Sequence, residues 1–149
     1  MSIHRTFLLT LGFVALSGCA TFSSTPKEKS DVVAVPATIQ QLLLTPEDFS
    51  GKVVNLTGAW NRGIMKSGSS PSMAILYGGF DNTLVLLSTD KGSTWVTLLL
   101  DKAQVRLVPN LMDLEGKAVA VENALVEKTL NGTILKPSTG FSLGLMAAP

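Results

Sequence analysis

The chain is poor in the residues that most often carry chemistry. Of its 149 residues, one is cysteine, one is histidine and one is tyrosine. Aromatic residues total 6% and charged residues 15%. Charge of one sign is missing too: 12 Lys and Arg stand against 11 Asp and Glu, a formal +1. A protein that grips nucleic acid needs a basic face to displace counterions, so that class is excluded as an expectation. What is abundant is apolar: hydrophobic residues make up 46%. A disordered chain is poorer in apolar groups and richer in charge, so most of this one should fold. Its length fits one domain with one modest core.

The first residues read MSIHRTFLLTLGFVALSGC. His4 and Arg5 open them, an apolar run follows from Phe7 to Leu16, and small Ser17 and Gly18 come next. That is the order of a secretory signal. The run is shorter than the ~20 residues a permanent spanning helix needs. Leu16-Ser17-Gly18-Cys19 resembles the lipobox of bacterial lipoproteins. The resemblance implies a lipidated Cys19 at a new N-terminus, with residues 1–18 removed. One acyl chain binds a membrane only marginally, whereas two or three hold it firmly. Lipidation also explains why an exported chain carries a cysteine with no partner. Ala20, rather than Asp, follows Cys19. By resemblance to bacterial lipoproteins, this implies the outer membrane, facing the periplasm.

Removing residues 1–18 takes Arg5 from the basic count, leaving 11 bases against 11 acids, and takes His4, the one histidine. The mature chain then has no histidine and no free thiol. Ser-His-Asp and Cys-His catalysis, zinc sites of the usual type and a histidine base near neutral pH all fall away. The expectation is a protein without catalytic residues, cofactor or metal. An enzyme would have to work with carboxylates, Lys, Ser, Thr or Tyr77.

Residues 19–36 are rich in Ser, Thr, Lys and Pro and read as a flexible tether, with a first strand conceivable near Val32–Val35. Residues 37–149 form the domain. Thr38 caps a short helix over Ile39–Leu44, with Ile39, Leu42 and Leu43 on one face. Thr45-Pro46-Glu47-Asp48 starts a second helical turn. Lys52–Trp60 alternates as a strand, and residues 61–71 form a loop or an irregular extension of it. Three strands are then expected, at Ser72–Tyr77, Thr83–Ser88 and Thr94–Leu100. Pro109 breaks residues 101–116 into short helical turns. Lys117–Lys128 alternates again. Asn131-Gly132 is a hairpin turn. Thr133–Leu135 returns, with Pro137 marking an edge or an end. The apolar tail from Ser138 either adds a strand or frays.

Two segments share a grammar. Leu44 to Gly58 and Leu111 to Asn123 each run from an acidic turn through Gly-Lys into an alternating strand. This resembles OB-fold domains of exported bacterial proteins, over about residues 42–136. Asn123 departs from the closing glycine but tolerates left-handed backbone. The expected fold is mostly β: a small OB-like antiparallel barrel with one or two short helices. Such barrels bind through exposed aromatics and nearby polar groups. The candidates are Trp60, Arg62, Tyr77 and Trp95, with Lys66 and Arg106 as further cations; core or rim packing is the plainer reading of both tryptophans. The paired acids Glu47-Asp48 are explained by their place at a helix start. The expected role is a membrane-anchored, non-enzymatic binding module for an envelope protein or a cell-envelope glycan or lipid. The alternatives are an assembly subunit of an envelope complex, drawing on an apolar patch such as the tail 141–149, and a carboxylate-based glycan-processing enzyme.

Overall fold

The computed structural model describes residues 32–90 and 92–147. Cys19, the signal segment and the tether up to residue 31 lie outside the described residues. Among the described residues six strands are present: β1 (Val35–Thr38), β2 (Val53–Lys66), β3 (Thr83–Ser88), β4 (Trp95–Leu100), β5 (Ala118–Thr129) and β6 (Gly132–Leu145). Strands β2-β3-β4-β6-β5 pair in that order, and β5 returns to β2. The sheet is therefore a closed five-stranded barrel of the OB-like kind. All its pairings are antiparallel except a short parallel seam between β4 and β6, with Thr97 opposite Ile134 and Leu98 opposite Leu135. Strand β1 lies parallel to the first half of β2, with Val35 opposite Val54. The expected tether limit at residue 36 thus falls inside a strand.

Alternation supplies the core. Val54, Leu56 and Ala59 of β2, Val85 and Leu87 of β3, and Val96, Leu98 and Leu100 of β4 point inward. Val119, Val121, Ala124 and Val126 of β5 meet them, with Leu135 and Leu143 of β6. Helix α1 (Ile39–Leu44) contributes fully buried Ile39 and Leu42 to this core. Leu43, expected on the same face, is exposed instead. Thr38 and Gln41 cap α1 reciprocally, the Thr38 hydroxyl accepting from Gln41 N at 3.2 Å and Gln41 Oε1 from Thr38 N at 2.9 Å. Helix α2 (Pro46–Phe49) follows, with Glu47 and Asp48 in its first turn. Val108, Leu111 and Leu114 enter the core from the segment holding α4 (Lys102–Val105) and a 3-10 turn (Leu111–Leu114). Pro109 separates these two elements.

The two Gly-Lys segments are related by a local twofold within the β2–β5 pair. Gly51 N donates to Val126 O, and Val126 N donates to Lys52 O. Likewise Gly116 N donates to Asn61 O, and Asn61 N donates to Lys117 O. Midway, Leu56 faces Val121, and each strand then carries a one-residue bulge. Gly58 sits in one at φ 63°, Asn123 in the other at φ 55°. Each bulge shifts the inward phase by one residue. Ala59 therefore joins Val54 and Leu56 inside, and Trp60 turns out. A strict alternation had put Trp60 on the face of Val54.

One expectation changes and two open ones are decided. Residues 61–66 continue β2, the irregular extension of the two alternatives. Ser72–Tyr77 is not a strand but most of helix α3 (Pro71–Leu76): Ser70 caps it by accepting from Met73 N at 3.3 Å, and Pro71 takes the first position. Of the alternatives open for the C-terminal part, the strand is the one found: β6 runs through Pro137 to Leu145, so the tail adds strand. Pro137 follows the last β4–β6 pair and adjoins a register shift against β5, two settings that tolerate a missing N–H. Phe141 packs against the core and Leu143 is buried, while Leu145 and Met146 stay exposed.

Candidate functional site

The outer face of β2, β3 and β4 gathers the sequence candidates. Trp60 is the register partner of Ser88, and Ser88 is the partner of Trp95, so the three form a row across the barrel wall. Arg62 follows on the same side. Its Nε donates to Ser88 Oγ at 2.9 Å and its Nη2 to Asp90 O at 2.7 Å. The guanidinium is thereby spent on fastening β2 to the β3–β4 connection. Trp60 is half-buried, and Trp95 is 53% exposed.

The β2–β3 connection brings the fourth candidate. Buried Ser67 ties its two ends together, donating to Gly79 O and accepting from Asn82 N at 3.2 Å. Asn82 Nδ2 donates to Tyr77 O at 2.7 Å. These bonds hold Tyr77, the residue that ends α3, above β4, with its hydroxyl 3.5 Å from Thr97 Oγ1. Tyr77 and Trp95 then line one groove of about 180 Å³. Leu43, Leu76 and Ile134 add apolar walls; Thr97, Thr129, Asn131 and Thr133 add hydroxyls and an amide. No charged side chain lines it. Trp60 and Arg62 stand outside it.

A second groove of about 400 Å³ lies along the same seam, and Tyr77 lines it as well. Its polar side chains are Asn82, Asp101, Gln104 and Lys136. Asp101 and Gln104 cap α4 reciprocally, Gln104 N donating to Asp101 Oδ1 at 2.7 Å and Asp101 N to Gln104 Oε1 at 3.0 Å. Lys136 is ion-paired with Glu127. A third, apolar groove of about 550 Å³ opens between the end of β2 and residues 105–113, with Lys66 and Asp113 among its lining. Arg106 is exposed on the turn after α4.

The carboxylates with displaced titration lie away from these grooves. The Lys128 ammonium, bonded to Glu47 at 2.7 Å, holds that carboxyl below its ordinary 4.5. Lys102 does the same to Asp81, below 3.8, from 2.8 Å. Among the described residues, no cluster of three metal-ligating side chains occurs. Among them, too, no helix is long and apolar enough to cross a membrane.

Residues the sequence did not single out, such as Leu43, Leu76, Thr97 and Thr133, complete the first groove. Only the β4–β6 pairing joins residue 97 to residue 134, and no local pattern announces it. No protein-family model matches the chain, and no curated protein matches it significantly.

Proposed function

We propose that this chain is a lipid-anchored lipoprotein of the bacterial outer membrane, facing the periplasm, whose barrel is a non-enzymatic binding module for a cell-envelope glycan. The lipobox-like Leu16-Ser17-Gly18-Cys19 supports the anchor. The groove of Tyr77 and Trp95 carries the ligand class. Two aromatic rings offer stacking surfaces to the apolar faces of sugars. The Asn131 amide offers donors and an acceptor to sugar hydroxyls, while Thr129 and Thr133, which donate to Gly132 O and Leu42 O, keep oxygen lone pairs to accept. An anionic polymer would require cations there, and the groove has none. Small barrels of this fold use this kind of face for oligosaccharides.

The test is a titration of tryptophan fluorescence with soluble neutral glycan fragments. Trp60→Phe leaves Trp95 as the reporter. A saturable change is expected, lost in Trp95→Ala and retained in Trp60→Phe. A folded protein that responds to no glycan would reject the reading. The anchor is tested separately: palmitate labelling should disappear in Cys19→Ser.

A second reading, an assembly subunit, draws on one observation. Leu44, Ile75 and Leu130 are 80%, 83% and 105% exposed, each next to a residue lining the first groove. Large exposed apolar side chains gathered around one site suit a protein partner. In-cell crosslinking that captures one dominant, anchor-dependent envelope protein would favour this reading over the glycan.

A further inference from the structure

We infer that the first and second grooves are two subsites of one elongated site meeting at Tyr77, and that its ligand is a linear neutral oligosaccharide rather than a single sugar. The inference rests on the glycan reading of the first groove. Three observations carry it. Tyr77 lines both grooves, so they share a wall rather than lying apart. Both follow the β4–β6 seam: Thr97 and Ile134 line the first, Leu99 and Lys136 the second. Each pair is two residues along its strand from the other, on the same outward face, a step of roughly 7 Å. The seam has two paired positions, and Leu99 and Lys136 follow directly after them.

Size points the same way. Pockets that hold small organic ligands enclose ~300–1,000 Å³. The first groove, at about 180 Å³, falls short alone; joined to the second, at about 400 Å³, it lies within that range.

The chemistry of the second groove suits a neutral chain. Gln104 commits Oε1 to its cap, leaving the amide nitrogen to donate. Asn82 commits Nδ2 to Tyr77 O, leaving Oδ1 to accept. The wall thus offers a donor at Gln104 and acceptors at Asn82 and at the Asp101 carboxylate, whose Oδ1 also accepts from Gln104 N, a mixed set that suits sugar hydroxyls. Lys136 is neutralised by Glu127, so the groove presents no uncompensated cation to draw an anionic polymer.

The experiment uses the full chain in detergent micelles, labelled for amide NMR and titrated with N-acetylglucosamine, then with its β-1,4-linked dimer and tetramer. The monosaccharide should move the amides of Trp95 and Thr133 alone. The tetramer should also move Leu99, Gln104 and Lys136, and bind about tenfold more tightly. Gln104→Glu keeps the capping oxygen and removes the donor; it should cancel the tetramer's advantage and leave the monosaccharide unchanged. A tetramer that binds no tighter and moves only the first groove overturns the two-subsite inference while the glycan reading stands. A folded protein that shifts with none of these sugars overturns both.

Discussion

Asn123 shows how one side chain can stand in for a glycine. Its φ of 55° lies in the left-handed region, and its amide donates to Gly140 O at 2.9 Å. Asn55 Oδ1 accepts from its backbone N at 2.9 Å, so the bulge is held from both flanks. Left-handed backbone costs an ordinary residue about 1–2 kcal/mol, and a β-branched one more. Asn123→Val should therefore lose about 2–3 kcal/mol in urea unfolding, since the amide bond goes too. Asn123→Gly should lose about 1 kcal/mol or less, because only that bond is removed. This much was legible from the Gly-Lys segments; the phase shift at each bulge was not, because alternation carries no mark of an inserted residue. Exposed Glu47 and Asp81 give a second test at this scale. Both carboxyls are held below their ordinary values by lysines, Lys128 and Lys102. Their stabilisation is intact above those ordinary values, 4.5 and 3.8, and is lost as pH falls through the lowered ones. Urea midpoints taken downward from pH 6 should fall less steeply in the double variant Glu47→Gln, Asp81→Asn, and high salt should flatten the native curve.

The connection from Ser67 to Asn82 is the element on which the grooves depend. Residues 72–77, apolar and uninterrupted, read as a strand by hydrophobicity alone. Ser70-Pro71 holds the contrary signal, a cap followed by the residue suited to a first helical position. That signal outranks a short apolar run, which fits a buried strand and a helix equally. The β6 strand shows the opposite lesson. Pro137 suggests an end, but the barrel asks no donor of it there, and context decides. Ser67→Ala should test the connection. It removes the oxygen that joins Gly79 O to Asn82 N, leaving two backbone groups without their partner, at a cost of about 1–3 kcal/mol. Hydrogen exchange should quicken across residues 70–82, glycan binding should weaken, and the amides of β5 should keep their protection. Uniform loss of protection would show instead that the connection and the barrel open together.

The barrel closes on itself, so each wall strand supports two neighbours. Leu98 of β4 is fully buried within this closed core. Leu98→Ala should cost about 2–5 kcal/mol and lower the whole transition without splitting it. The closed topology was legible as a class: an early and a late Gly-Lys strand around a meander. The site was legible only in part. Tyr77 and Trp95 come together, but Arg62 serves the wall, and the partners from β6 are brought in by a parallel pairing that spans the chain. One strand lies outside the closed ring. Strand β1 lies parallel to β2, with four consecutive partners from Val35–Val54 to Thr38–Thr57. A pull on the chain ahead of Val35, directed along β1, loads those four positions at once, in shear, instead of peeling them one by one. The described fold thus begins with a mechanical clamp, which takes up a load applied ahead of Val35 before it reaches α1 and the Leu43 wall of the first groove.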